Sequence, residues 1–157
     1  MSNKLAIGDL APKFSLPDQD GAVVNLKDYV GKNVVLYFYP KDDTPKCTIE
    51  ACSFRDNLRE YQTLNAVVLG VSKDSAASHR RFADKYNLNF PLLSDEDLAV
   101  AKAYGVYRRT KNSEQESWEF VRSTFLIDGE GRLAQIWYDV QVDGHADAVR
   151  EAITKLN

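Results

Sequence analysis

Residues 34–52 read VVLYFYPKDDTPKCTIEAC, an apolar run followed by the signals of a helix start. The first six residues are apolar or aromatic, which predicts a central strand that is covered on both faces. Thr44 and Pro45 then provide a good N-cap and a proline for the first helical position, so we predict that a helix begins here. A buried strand that leads into a helix indicates an open α/β sheet, in which ligands bind beyond the carboxyl ends of the strands.

The sequence on either side alternates between strand and helix patterns. Ser94 and Asp97 resemble a capping box that opens a helix ending near residue 105. Residues 108–117 are polar and charged, and we predict an exposed loop there. The last helix carries one apolar face, made of Ala146, Val149, Ile153 and Leu156. The other predicted elements are a helix at residues 75–86 and strands at residues 14–16, 23–26, 66–71, 91–93, 119–127 and 133–139.

This order of elements predicts an α/β fold with a central mixed β-sheet flanked by helices. A turn-rich segment at residues 17–21 predicts an N-terminal β-hairpin, and residues 128–131 predict a second hairpin. The sequence contains no internal repeat and no linker, so we expect one domain over residues 1–157.

Composition and charge narrow the class of protein. The chain has 157 residues, of which 44% are hydrophobic and 27% charged, as in ordinary globular proteins. Its net charge of -3 gives no reason to expect nucleic acid or an anionic membrane as a partner. No segment approaches the roughly 18 apolar residues of a membrane span. The first ten residues lack the apolar stretch of a secretory signal, so we expect a cytoplasmic protein.

The first turn of the predicted helix places Cys47 where a thiolate is favoured. Backbone N–H groups there have no intrahelical partner, and the helix dipole attracts negative charge. Only the thiolate is a useful nucleophile, and an ordinary cysteine is ~3% thiolate at pH 7. Lys46 and Arg122 are the candidate cations that raise this fraction. The alternative is that Cys47 is a small apolar residue at an ordinary helix start.

Cys52 lies five residues after Cys47. On a helix this spacing corresponds to ~7.5 Å of rise and ~140° of rotation. Disulfide bonds tolerate Cα separations of up to ~7 Å, so the two cysteines cannot bridge while the helix is intact. Bridging requires that the first turns unwind, which makes oxidation a conformational switch. On geometry alone, a buried Cys52 without a redox role remains the simpler interpretation.

The two histidines give no sign of a site in the sequence. His79 is next to Arg80 and Arg81 on a charged helix face, and His145 lies near the start of the last helix, so we predict both at the surface. With two cysteines and two histidines, a zinc site is hard to complete without carboxylates. We also find no phosphate-binding glycine loop, and we predict no bound cofactor and no metal.

The central segment resembles the active-site motif of peroxiredoxins, Pro-x-x-x-Thr-x-x-Cys, here Pro40, Thr44 and Cys47. Residues 48–52, Thr-x-Glu-Ala-Cys, are similar to the subgroup called bacterioferritin comigratory protein or peroxiredoxin Q. The likeness continues in order through residues 34–39, 90–95, 104–106 and 122–128, so it spans most of the chain. It implies a thioredoxin-like fold and reduction of hydrogen peroxide and organic hydroperoxides. It also implies recycling by thioredoxin or a related dithiol donor.

The resemblance assigns roles to five residues. Cys47 matches the peroxidatic cysteine that becomes a sulfenic acid, and Cys52 matches the resolving cysteine that forms an intrachain disulfide with it. Thr44 and Arg122 match the residues that orient peroxide and polarise its O–O bond, and Pro40 shields the pocket. Such donors stabilise the negative charge that moves to the departing oxygen. Without the resemblance, Thr44 is a plain cap and Arg122 one half of a salt bridge.

Two positions depart from related sequences. Lys46 occupies a place where relatives usually carry Gly, which affects access to the pocket. Ala83 and its neighbours are not cysteine, so Cys52 is the only possible internal partner, and we expect a monomer.

Two other functions remain open from the sequence. One is a thiol–disulfide oxidoreductase, although such enzymes typically use Cys-x-x-Cys. The other is a redox-sensing module whose helix melts on oxidation and changes a binding surface.

Overall fold

The computed structural model describes residues 5–112 and 115–156, and it is built around a mixed sheet. The helices are α1 (Pro45–Thr63), α2 (Ala76–Tyr86), α3 (Ala99–Ala103) and α4 (His145–Leu156). The strands are β1 (Ser15–Pro17), β2 (Val23–Asn25), β3 (Asn33–Phe38), β4 (Ala66–Ser72), β5 (Leu92–Ser94), β6 (Tyr107–Asn112), β7 (Gln115–Phe120), β8 (Ser123–Ile127) and β9 (Leu133–Trp137).

The central sheet has the strand order β5-β4-β3-β8-β9. β3 runs parallel to β4 and antiparallel to β8, so it is an interior strand with a partner on each side. All six of its residues are buried, as the apolar run predicts. The prediction of an α/β fold with a mixed sheet is confirmed, and so is the N-terminal hairpin, which is formed by β1 and β2.

Alternate residues of β3 enter two separate cores. Val35 and Tyr37 pack with buried residues of α1, α2 and α4 on one face of the sheet. Val34, Leu36 and Phe38 pack on the other face with α3 and with the segment that leads into the N-terminal hairpin. Each fully buried side chain of this size stabilises the fold by roughly 1.5–3 kcal/mol. Because β3 lies between these two cores, its carboxyl end, where the loop to α1 begins, is held in a fixed position.

The predicted loop at residues 108–117 is wrong for residues 108–112 and 115–117, which belong to the antiparallel strands β6 and β7, and residues 113–114 lie outside the described residues. The two strands pair through backbone hydrogen bonds, and their polar sequence lacks the apolar alternation from which a strand is predicted. Tyr107 and Trp118 stack across the two strands with ring centroids 5.3 Å apart. The predicted strand at residues 119–127 is also wrong as one element, since β7 ends at Phe120 and β8 begins at Ser123.

The predicted capping box before α3 does not form. The helix begins at Ala99, after Leu98 in a left-handed conformation with φ 64°. The Ala99 N–H donates to Asp97 Oδ1 at 3.0 Å, and the buried Asp95 carboxylate accepts from Val100 and Ala101 at 3.2 and 2.7 Å. The N-cap residue is Leu98, whose side chain cannot accept a hydrogen bond, so the predicted cap at Ser94 lies four residues too early.

No helix within residues 5–112 and 115–156 is long and apolar enough to cross a membrane.

Candidate active site

Cys47 lies in the first turn of α1, as predicted. Thr44 is the N-cap residue with extended backbone angles, Pro45 follows at the helix start, and the Thr48 N–H donates to the Thr44 carbonyl at 2.8 Å. The Thr44 hydroxyl does not cap the helix but donates to the Lys41 carbonyl at 2.9 Å. Cys47 is buried, with 2% of its surface exposed. Its thiol therefore lies at the positive end of the helix dipole and away from bulk water.

Arg122 contacts this thiol although it is distant from Cys47 in the sequence. It lies in the short break between β7 and β8, and its carbonyl accepts the Val140 N–H at 2.9 Å. Its Nη2 donates to Cys47 Sγ at 3.3 Å. The guanidinium is only 13% exposed, so it acts on the sulfur with little screening by water. The predicted pairing of Cys47 with a cation is therefore formed by Arg122.

Glu50 completes this cluster, and the sequence analysis gave it no role. Its Oε1 accepts from Arg122 Nη1 at 2.7 Å, and the residue is 2% exposed. Its Oε2 is buried without a hydrogen-bond partner among the described residues. Burial raises the pKa of this carboxyl to about 7, in spite of the opposing effect of Arg122. The sequence offers one sign of its position. Glu50 lies three residues after Cys47, and residues three apart on a helix share a face.

Cys52 is half-buried further along α1, and both cysteines are free thiols. The helix is continuous from Pro45 to Thr63, so the pair has the separation of an intact helix, ~7.5 Å of rise. The structure thus describes the reduced, helical state in which the two thiols cannot bridge.

An open groove of about 400 Å³ leads away from Arg122. It is lined by Lys46 and Ile49 of α1 and by residues 140–143, which follow β9. Pro40 lies half-buried two residues after β3, in the loop that leads to Thr44. Lys46 is exposed at the rim of this groove, so its ammonium can approach a molecule that enters there.

Both histidine predictions are wrong, since each ring is buried. His79 is 0% exposed, with Nδ1 2.7 Å from Asp42 Oδ2. His145 is 6% exposed, with Nε2 2.8 Å from Thr124 Oγ1, and burial lowers its pKa to about 4. The charged neighbours of His79 face solvent while the ring faces inward, which residue composition alone does not distinguish.

Among the described residues, no group of three His, Cys, Asp or Glu side chains is arranged to hold a metal ion.

Comparisons with known proteins identify the family of the chain. The profile of the AhpC/TSA family matches residues 7–136. A putative peroxiredoxin Bcp of Coxiella burnetii is 48% identical over 152 residues, covering 97% of this chain and 99% of the relative. Peroxiredoxin Bcp of Bacillus subtilis is 47% identical, covering 97% of this chain and 95% of the relative.

A solved structure of the bacterioferritin comigratory protein of Xanthomonas campestris has the same fold. The TM-score is 0.88 with 39% sequence identity, and the match covers 90% of each chain. The family profile covers most of the chain, and the sequence relatives match over nearly their full length. This chain therefore belongs to the AhpC/TSA family, within its peroxiredoxins of the bacterioferritin comigratory protein and peroxiredoxin Q subgroup.

Proposed function

We propose that Cys47 is the peroxidatic residue of this thiol peroxidase and Cys52 its resolving residue. The observation that carries the proposal is the contact between Arg122 Nη2 and Cys47 Sγ, 3.3 Å long, in the first turn of α1. A guanidinium and free helix N–H groups both stabilise a thiolate, which is the form that attacks. The Xanthomonas campestris relative is described by its alkyl peroxide reduction activity, which supports hydroperoxides as the substrates.

The first step converts a thiolate and a hydroperoxide into a sulfenic acid and an alcohol. Cys47 Sγ bonds to the terminal peroxide oxygen while the O–O bond breaks, and the departing oxygen takes up one proton. Arg122 donates to the oxygens as charge moves between them. The Thr44 hydroxyl donates its hydrogen to the Lys41 carbonyl, so Thr44 Oγ1 can accept a hydrogen bond from the peroxide O–H. Pro40 limits the access of water to this site.

The second step needs a change of conformation. The Cys47 sulfenic acid condenses with the Cys52 thiol, which forms an S–S bond and releases water. Since the helix holds the sulfurs apart, the first turns of α1 unwind before this bond forms. Thioredoxin or a related dithiol then supplies two electrons and two protons, and both thiols are restored. A monomer suffices for this cycle because both cysteines belong to one chain.

The experiment mixes fully reduced protein with one equivalent of hydrogen peroxide and follows peroxide loss and intact mass. We expect rapid loss of one peroxide per chain and a mass decrease of two hydrogens. Turnover continues only when thioredoxin, its reductase and NADPH are present. Cys47→Ser abolishes the reaction, whereas Cys52→Ser consumes one equivalent and then stops.

Two outcomes would overturn the proposal in different ways. Rapid turnover by Cys47→Ser removes Cys47 from the mechanism. Peroxide loss no faster than that of a free thiol means that Cys47 is not activated. In that second case, insulin reduction without peroxide consumption favours a thiol–disulfide oxidoreductase. A partner bound only after oxidation favours a redox sensor.

A further inference from the structure

The loop between β3 and α1 is fastened to helix α2 through Asp42. This aspartate is 8% exposed, although it lies in a loop that carries active-site residues on both sides. Its Oδ1 accepts the Tyr39 hydroxyl at 2.6 Å, and its Oδ2 accepts the Ser78 hydroxyl at 2.7 Å. Its backbone N–H donates to Asp74 Oδ2 at 2.8 Å. A buried carboxylate with this many donors is strongly localised.

His79 is the central partner of Asp42 on α2. Its ring is fully buried, and its Nε2 lies 3.0 Å from the Leu93 carbonyl oxygen. A carbonyl can only accept, so Nε2 carries a hydrogen. Nδ1 lies 2.7 Å from Asp42 Oδ2, a distance that requires a proton between the two atoms. His79 therefore bridges the loop and the end of β5 with a hydrogen bond on each side.

The next residue of the loop is held in a similar way. Asp43 adopts a left-handed backbone with φ 57°, which few residue types tolerate. Its carboxylate accepts from Lys85 Nζ at 2.8 Å and from the Tyr86 hydroxyl at 2.9 Å. These contacts are exposed and weaker than those of Asp42. Together they hold Asp42 and Asp43, the two residues before Thr44, against α2.

We propose that His79 and Asp42 are positioning residues for peroxide reduction. They fix the loop that presents Pro40 and Thr44 to the substrate, and they act through that loop. Each catalytic cycle unwinds the first turns of α1, so the backbone just before Cys47 loses its helical support. The contact with α2 keeps the upstream loop in place and restores Thr44 when the helix forms again. This inference rests on the proposed function of Cys47.

Two variants of His79 separate positioning from simple loss of packing. His79→Asn keeps an amide nitrogen near the place of Nδ1, where it can donate to Asp42. His79→Gln reaches the place of Nε2 and can donate to the Leu93 carbonyl, but it leaves Asp42 without this partner. Both variants remove the ring, so the packing loss is matched. Arg80→Ala, on the exposed side of the same helix, is the control for changes in α2 itself.

The measurements are two rate constants of Cys47 in each variant, made by stopped flow on reduced protein. One is the rate constant for oxidation by hydrogen peroxide, a reaction that depends on the positions of Pro40 and Thr44. The other is alkylation by iodoacetamide, which needs only a reactive thiolate. We expect His79→Gln to slow oxidation about tenfold with less than about a twofold change in alkylation, the effect of one lost charge-assisted hydrogen bond. His79→Asn restores most of the oxidation rate, and Arg80→Ala changes neither.

Equal oxidation rates in the wild type and His79→Gln would overturn the inference, and so would a parallel fall in both rate constants. If His79→Gln does not fold, Ser78→Ala removes another donor to Asp42 from a half-buried position, and we expect oxidation to fall about threefold with alkylation unchanged. An unchanged oxidation rate in Ser78→Ala would also overturn the inference. Failure of the proposed function itself looks different, because the wild type then does not react rapidly with peroxide.

Discussion

Replacing Glu50 with glutamine tests the electrostatics of the active site most directly. The substitution keeps the side-chain shape and an oxygen that can accept from Arg122 Nη1, the 2.7 Å contact of the wild type. It removes the ionisable carboxyl group and leaves the volume of the side chain almost unchanged. Any change in the pH dependence of stability therefore reports the carboxyl group itself.

The structure sets both the sign and the size of the effect. Burial raises the pKa of Glu50 from 4.5 to about 7, so the folded state holds a proton that the unfolded state releases in this range. Folding stability from this group is present at low pH and is lost as pH rises from 4.5 to about 7. The difference between the two pKa values corresponds to a loss of about 3 kcal/mol. Glu50→Gln does not undergo this loss.

The assay is urea unfolding of the reduced protein, followed by circular dichroism between about pH 5 and pH 8. His145 opposes Glu50 below pH 6.5, because its pKa of about 4 makes stability rise with pH there. The informative quantity is therefore the wild-type free energy of unfolding minus that of Glu50→Gln, in which His145 cancels. We expect this difference to fall by up to about 3 kcal/mol as pH increases. Glu60→Gln, an exposed carboxyl on the same helix, should show no such trend.

A difference that is constant from about pH 5 to pH 8 would refute this reasoning. It would mean that Glu50 has the same pKa in the folded and unfolded states. A difference that rises with pH would mean that the attraction of Arg122 outweighs burial, and that Glu50 is charged throughout this range.

Three further predictions concern single contacts. Arg122→Lys cannot bind both Cys47 Sγ and its carboxylate partner with a planar fork, so peroxide oxidation measured by stopped flow should slow about 100-fold. Arg55→Ala removes a 2.6 Å bond to the Tyr86 carbonyl that holds α1 beyond the unwinding segment, and because this contact is kept while the first turns unwind, disulfide formation followed by quenched-flow mass analysis should keep the wild-type rate. Gly70→Ala places a methyl group 2.9 Å from the buried Tyr37 ring, and urea unfolding should show a loss of about 1–3 kcal/mol.

Local signals in the sequence were sufficient to predict the strand and the helix start that carry the thiol. The apolar run before Pro40 can only be buried, and Thr44 with Pro45 begins a helix through contacts within a few residues. Arg122 is 75 residues from Cys47 in the chain, so local patterns offered it only as a candidate cation, and its role with peroxide came from the resemblance to peroxiredoxins. Which residues meet across such a distance depends on the order of strands in the sheet, which local patterns do not determine.

The two wrong histidine predictions share one physical cause. His79 and His145 lie in polar sequence, where composition indicates solvent. Burial depends instead on which face of an element meets the core, and both rings are compensated by specific hydrogen bonds to Asp42 and Thr124. Glu50 is a different case, because a reactive thiolate predicts a nearby cation but does not indicate the carboxylate that holds this cation in place.

Helix α1 is long enough for its first turns to unwind while its later turns stay packed in the core. It has 19 residues, about five turns, and its later residues Phe54, Leu58 and Tyr61 are anchored in the core. Unwinding as far as Cys52 therefore leaves most of the protein intact while it exposes the backbone around Lys46. Trypsin cleaves after lysine in extended chain, so a single nick at this position should distinguish the disulfide form from the dithiol form. A proteolytic pattern then reports the redox state of the population without any chemical label.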